Sequence, residues 1–122
     1  MPLHHIAVLC SQRERALPFY EALGFTVSRT VSRPEQHDEI LWLCGHGVVL
    51  ELFIDATHPA HVTSPEAYGL RHIAIRTDDA RAQHAALVAR GLAPEPLRTD
   101  PFDGGAMFFI KDPDGLPVEF HE

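Results

Sequence analysis

The chain has 122 residues, 45% of them apolar, and a formal net charge of −7 at neutral pH. That length suits one compact domain or two small modules sharing a core, and that apolar content excludes a disordered chain. Ten basic residues against seventeen acidic ones, with no basic cluster, argue against a nucleic-acid partner, which needs lysine and arginine to replace counterions.

No apolar run approaches the roughly 18 residues of a membrane span, and the start lacks the pattern of a secretory signal. The expectation is a cytoplasmic protein with no membrane partner. Cys10 and Cys44 are too few for a disulfide scaffold and stand in apolar contexts, so both read as reduced core residues.

In chain order, residues 3–10 are mostly apolar, as in a buried strand. Ser11-Gln12-Arg13-Glu14 has the S-x-x-E form of a capping box, and Ala16, Leu17, Phe19, Tyr20, Ala22 and Leu23 supply a helix behind it. Pro18 is tolerable there only near the first turn, and Gly24 ends the helix. Phe25 to Arg33 alternates as a second strand, and Pro34 to Asp38 is a loop. Ile40–Cys44 and Val48–Phe53 form a hairpin around Gly45-His46-Gly47, whose glycines supply positive φ.

Asp55 to Tyr68 has two prolines and no periodicity, and reads as a linker. The order then repeats. Leu70–Arg76 is a strand. Thr77-Asp78-Asp79 caps a helix with Ala80, Ala82, Ala85, Leu87, Val88 and Ala89, which Gly91 stops. Pro94–Arg98 is a short edge strand, since its prolines cannot donate to a ladder. Met107–Ile110 and Pro117–His121 make the last hairpin, turning at Asp112-Pro113-Asp114-Gly115. The fold class is therefore α+β, as two tandem βαβββ modules over residues 1–54 and 69–122, joined by 55–68.

Direct echoes support a duplication. Leu3-His4-His5-Ile6-Ala7 and Leu70-Arg71-His72-Ile73-Ala74 share L-x-H-I-A, and their histidines are 72 − 5 = 67 residues apart. Gly24 and Gly91 keep the same spacing (91 − 24 = 67), and Glu51 and Glu119 nearly so (119 − 51 = 68). Each copy thus contributes one histidine and one glutamate. Singly these have ordinary readings, a satisfied core histidine and a solvent-facing glutamate. Glu51, however, lies between Val49-Leu50 and Leu52-Phe53, so its carboxylate has to find a cation or protonate. If the copies are related by a pseudo-two-fold axis and His5 lies near it, so does His72, and likewise Glu51 and Glu119. Such a quartet is either a symmetric His–Glu ion-pair cluster or the ligand set of a divalent first-row metal.

With H-I-A-V near the start, F-Y-x-x-L-G-F at Phe19–Phe25, L-R-H-I-A-I at Leu70–Ile75 and D-P-D-G-x-P-V-E-F at Asp112–Phe120, the chain resembles the vicinal oxygen chelate superfamily. That group includes glyoxalase I, bleomycin-resistance proteins, fosfomycin-resistance thiol transferases and extradiol dioxygenases. The resemblance implies paired βαβββ modules forming a cupped mixed sheet around a metal. Its ligand positions match His5 (rather than His4), Glu51, His72 and Glu119. Four filled positions match glyoxalase I; dioxygenases and thiol transferases generally use two histidines and one glutamate, and bleomycin-binding members usually lack the ligands.

The resemblance further implies a metal-dependent lyase acting on a small oxygenated substrate such as a 2-oxoaldehyde hemithioacetal. Zinc or nickel leads, with manganese, cobalt or iron as other metals, and Glu119 and Glu51 as catalytic carboxylates. Members often form homodimers, sometimes building the site from modules of two chains. The alternatives are dioxygenase or thiol-transferase chemistry, or sequestration of a small molecule without turnover. Arg13, Arg29 and Arg33 are candidate anion contacts, and Trp42 and Phe108 are candidate lining for the cup.

Overall fold

A computed structural model describes all 122 residues, which form two compact units, Met1–Ala60 and His61–Glu122. The boundary falls inside the 55–68 stretch. His61 already belongs to the second unit, where its N–H donates to the Asp114 carbonyl at 3.0 Å.

The first unit runs β1 (Ile6–Cys10), α1 (Arg13–Ala22), β2 (Thr26–Arg33), a 3₁₀ turn (Pro34–Gln36), β3 (Asp38–Gly45) and β4 (Val48–Ile54). Its sheet has the order β1-β4-β3-β2, with β1 parallel to β4 and the other pairs antiparallel. The second unit runs β5 (Ile73–Arg76), α2 (Ala80–Ala89), β6 (Arg98–Thr99), β7 (Ala106–Lys111) and β8 (Pro117–His121). Its order, β5-β8-β7-β6, repeats the first. Two four-stranded mixed sheets and two helices make this the α+β fold expected of a glyoxalase-like chain.

Period-two alternation divides each sheet into an apolar face and an open one. In the first unit Val8, Leu41, Leu43, Leu50 and Leu52 are buried, together with Ala16, Phe19 and Tyr20 of α1. Ala7 and Leu9 on β1 are exposed, so this strand alternates rather than being buried on both sides. Cys44 shares the open face and is exposed, which corrects its reading as a core residue; Cys10 is buried. In the second unit Ile73, Ile75, Phe108, Ile110, Val118 and Phe120 are buried, with Ala80 and Leu87 from α2. Val88 is exposed despite its apolar side chain, because burial on α2 follows the 80, 83–84, 87 spacing.

Several local expectations shift. Gln12, not Ser11, is the N-cap of α1, and its side chain makes no capping bond. Pro18 stands inside this helix and is solvent-facing, where water can take the carbonyl that proline leaves without a donor. At the β3–β4 turn the positive φ values belong to His46 (+53°) and Gly47 (+74°), not Gly45. His46 is held there by a 2.7 Å hydrogen bond between its Nε2 and the Leu23 carbonyl. The edge strand expected at Pro94–Arg98 contracts to Arg98–Thr99; between the two prolines only Glu95 donates, to the Phe109 carbonyl at 2.8 Å.

Arg33 and Asp38 close the β2–β3 hairpin across its turn, with Nε donating to Oδ1 at 2.8 Å. The guanidinium hydrogen bond holds the Asp38 carboxyl below its ordinary range. A depressed carboxyl pKa contributes stability that is present above the unfolded value and is lost as pH falls through the folded one. Carboxyl-carbon NMR should therefore place the Asp38 titration below 3.8 in the wild type and return it toward that value in Arg33→Gln.

Gly24 and Gly91 follow the two helices with φ of +101° and +83°. A Cβ at Gly91 would meet open space, whereas one at Gly24 would lie 2.9 Å from His46 Nε2. Gly91→Ala should cost about 1 kcal/mol in denaturant unfolding from backbone strain alone, and Gly24→Ala measurably more.

Candidate functional site

Each sheet carries its glutamate on the strand that lies between two others. In the first unit Ala7, Glu51 and Trp42 stand in register across β1, β4 and β3. In the second, Ala74, Glu119 and Phe109 do the same across β5, β8 and β7. The histidine precedes the first strand by one residue in both, so His5 and His72 sit at strand entries rather than within strands. The strands begin later than expected, but the chemical placement is equivalent.

His5 Nε2 lies 3.5 Å from Glu51 Oε2, and His72 Nε2 lies 2.9 Å from Glu119 Oε2. An aromatic ring completes each group. Trp42 packs on His5 with centroids 5.5 Å apart, and Phe109 meets the edge of His72 at 5.2 Å. Phe109 thus takes the place assigned to Phe108, which is fully buried on the opposite face and stacked on Phe120. Extending the repeat spacing to Trp42 identifies the right ring, since 109 − 42 = 67. His4, an exposed residue, contacts His5 through Nδ1 at 2.8 Å and also stands edge-on to Trp42, so it adjoins the first group.

Glu51 and Glu119 are only 9% and 7% exposed, and no lysine or arginine lies within salt-bridge distance of either. A nearly buried carboxylate whose only ion-pair contact is an imidazole is an electrostatic arrangement that a bound divalent ion would complete; Arg33 acts on Glu51 only at longer range, being hydrogen-bonded to Asp38. In each group an imidazole nitrogen and a carboxylate oxygen are donor types that such an ion accepts.

Glu119 has a second neighbour. His121 Nε2 is 4.0 Å from its Oε1 and 3.1 Å from Asp100 Oδ2, while His121 Nδ1 bonds the Glu122 carbonyl at 2.7 Å. These partners, the Glu122 carbonyl first and then Asp100, push the His121 pKa above its ordinary value. Asp100, Asp103 and His121 also bring donor atoms within 4.8 Å of one another, a second grouping of metal-donor types beside the His72–Glu119 pair. The repeat did not indicate it, because Asp100 and Asp103 come from the second unit's β6–β7 loop and His121, on β8, has Phe53 as its counterpart in the first unit.

The arginines separate clearly. Arg13 is paired with Glu39 at 3.1 Å and Arg33 with Asp38, so neither is left for an anion; Arg29 is exposed on β2. A cavity of about 260 Å³ in the second unit is lined by His72, Phe109, Arg98 and Lys111, among others. None of the helices is long and apolar enough to cross a membrane.

The fold and the paired sites define a chain built by duplication of a βαβββ unit, with a His–Glu–aromatic group in each. It belongs to the Glyoxalase/Bleomycin resistance protein/Dioxygenase superfamily, whose family description matches residues 2–120. Among similar proteins, Bacillus subtilis YwkD, itself described as uncharacterized, is 40% identical over 98% of this chain and 95% of its own. A lactoylglutathione lyase from Haemophilus influenzae is 31% identical over 100% of this chain and 93% of its own. The crystal structure of a glyoxalase family protein from Enterococcus faecalis superposes with a TM-score of 0.93 at 43% identity, covering 99% of this chain and 97% of that one.

The absence of a fixed cation has a measurable consequence in metal-free protein. There Glu51→Gln should raise thermal stability, by about 1 kcal/mol, because a neutral amide costs less to bury than a carboxylate. Calorimetry on chelator-treated protein checks it; a lower melting temperature would mark the His5–Glu51 pair as a structural ion pair.

Proposed function

We propose that the protein is a divalent-metal-dependent lyase of the glyoxalase I kind, isomerising a small oxygenated substrate such as a 2-oxoaldehyde hemithioacetal. The observation that carries this reading is the repetition of one constellation. Each unit presents a histidine at a strand entry, a nearly buried glutamate on an inner strand and an aromatic ring beside them. A core that needed only packing would have no reason to bury two carboxylates without fixed cations. The similarity to a protein named lactoylglutathione lyase favours the same chemistry.

In this reading His5, Glu51, His72 and Glu119 are the metal ligands, supplied by one chain or by two copies in a homodimer. Zinc or nickel suits two imidazoles and two carboxylates, and manganese, cobalt and iron are the other candidates. When bound, the ion supplies Lewis-acid stabilisation of negative charge on neighbouring substrate oxygens. The chain itself moves the proton. Glu119 or Glu51 takes it from the carbon bearing sulfur and hydroxyl and delivers it to the adjacent carbonyl carbon; the hydroxyl proton passes to the former carbonyl oxygen, giving a 2-hydroxy thioester with nothing oxidised overall. Trp42 and Phe109 pack against the imidazoles and help fix their orientation.

The test is metal content of protein purified without added metal, for the wild type and Glu51→Gln. One transition-metal ion per chain is expected in the wild type, with loss or weakening in the variant. Turnover of the methylglyoxal hemithioacetal should disappear on chelation and return with the metal. Wild-type protein that carries no metal and takes none up on dialysis would overturn the reading.

A further inference from the structure

The second unit's cavity is lined by His72, in contact with Glu119, and by two cations, Arg98 and Lys111. Lys111 pairs with Pro117, near the His72 strand entry, whereas Arg98 lies opposite Met107. The Phe109 ring lies between His72 and Arg98, with its centroid 5.2 Å from the His72 ring and 5.0 Å from the Arg98 guanidinium carbon. Lys111 follows Phe109 by two residues on β7, so both side chains leave the same face of the sheet.

The charges in this cavity are unevenly matched. Arg71 is tied to Glu66 at 2.6 Å, which neutralises both. Glu95 also lines the cavity, but neither it nor any other carboxylate lies within salt-bridge distance of Arg98 or Lys111. His61, on the wall as well, adds no negative charge. In a chain with a net charge of −7, two cations without carboxylate partners line one small cavity, and one of them is the chain's only lysine. Like charges brought together repel unless an anion joins them. Arginine laid on an aromatic ring has its planar fork held in position for two parallel bonds to an oxyanion.

We propose that Arg98 and Lys111 seat an anionic end group of the substrate, a carboxylate or a phosphate, over the Phe109 ring, with the substrate's reactive oxygens against His72. The assignment of the reactive end rests on the metal reading above; the anion seat does not. The volume, about 260 Å³, lies below the roughly 300–1,000 Å³ of sites for drug-sized ligands. A short acid, such as the 2-oxoaldehyde adduct of a small mercapto acid, is the substrate class that fits within that volume.

Because Lys111 is the only lysine, reductive methylation with carbon-13 gives one lysine signal in NMR. Metal-free protein is titrated with 3-mercaptopropionate, 2-mercaptoethanol and inorganic phosphate. A saturable shift is expected with 3-mercaptopropionate or phosphate and none with 2-mercaptoethanol. Whichever anion binds more tightly identifies the end group. Arg98→Gln, at an exposed position, should weaken that binding about tenfold. No saturable shift with either anion, or binding unchanged in Arg98→Gln, would overturn the proposal.

On metal-loaded protein, kcat/KM should favour the methylglyoxal adduct of 3-mercaptopropionate over that of 2-mercaptoethanol by about tenfold, through KM. Lys111→Gln should reduce that preference, and a preference unchanged in this variant would count against the lysine's role. If neither adduct turns over, the lyase reading fails while the metal-free titration still decides the anion seat.

Discussion

A carboxylate on the inner strand of a sheet has few places to go. Both flanking strands close its sides, and a ring from the strand across stands over it. Glu51 and Glu119 are held in this way, in register with Trp42 and Phe109, and the local backbone offers no route to full hydration. Charge buried to this degree is tolerated when something cationic stands close by. In salt-bridge contact the chain supplies only imidazoles, His5 for one and His72, with His121 farther off, for the other; Arg33 reaches Glu51 only at longer range. The rest of the site's chemistry follows from that constraint, because imidazole and carboxylate together are a set of metal donors that arginine would have spoiled.

Duplication solves the positioning problem once and applies the answer twice. In each unit the parallel pairing of the first and last strands puts the histidine's strand entry beside the glutamate. The copies then diverge at their margins. β2 has eight residues with a register shift between Val27 and Arg29, whereas β6 has two. Pro94 and Pro96 account for the difference by removing donors from the edge. This shortened edge also places Arg98, opposite Met107, on the face that carries Phe109 and Glu119. The first unit has no counterpart to that cation: its nearest analogue, Arg33, lies over Phe53 but is taken by Asp38.

The candidate site was legible to the extent that the repeat was. His5, His72, Glu51 and Glu119 stand out because spacing is preserved in two copies, and spacing is a property of the sequence. Phe109 was legible in principle by the same rule applied to Trp42. Adjacent phenylalanines hide it, since apolar character does not say which of two neighbours turns toward which face; the β7–β8 register makes that decision. Cys44 and Val88 show the converse error, in which apolar chemistry suggests burial and the strand or helix period denies it.

By itself the amino-acid sequence determined the module order, the helix-ending glycines, the turns and the pairing of one histidine with one glutamate in each copy. These depend on local stereochemistry and on periods of 2 and 3.6, which neighbouring residues carry between them. Only the tertiary structure decided which side chains share an open face, that Glu51 and Glu119 have no lysine or arginine in salt-bridge contact, and that Arg98 and Lys111 line one cavity with Phe109. Those facts depend on strand register and on the distances between residues far apart in the chain, and neither has a local signature.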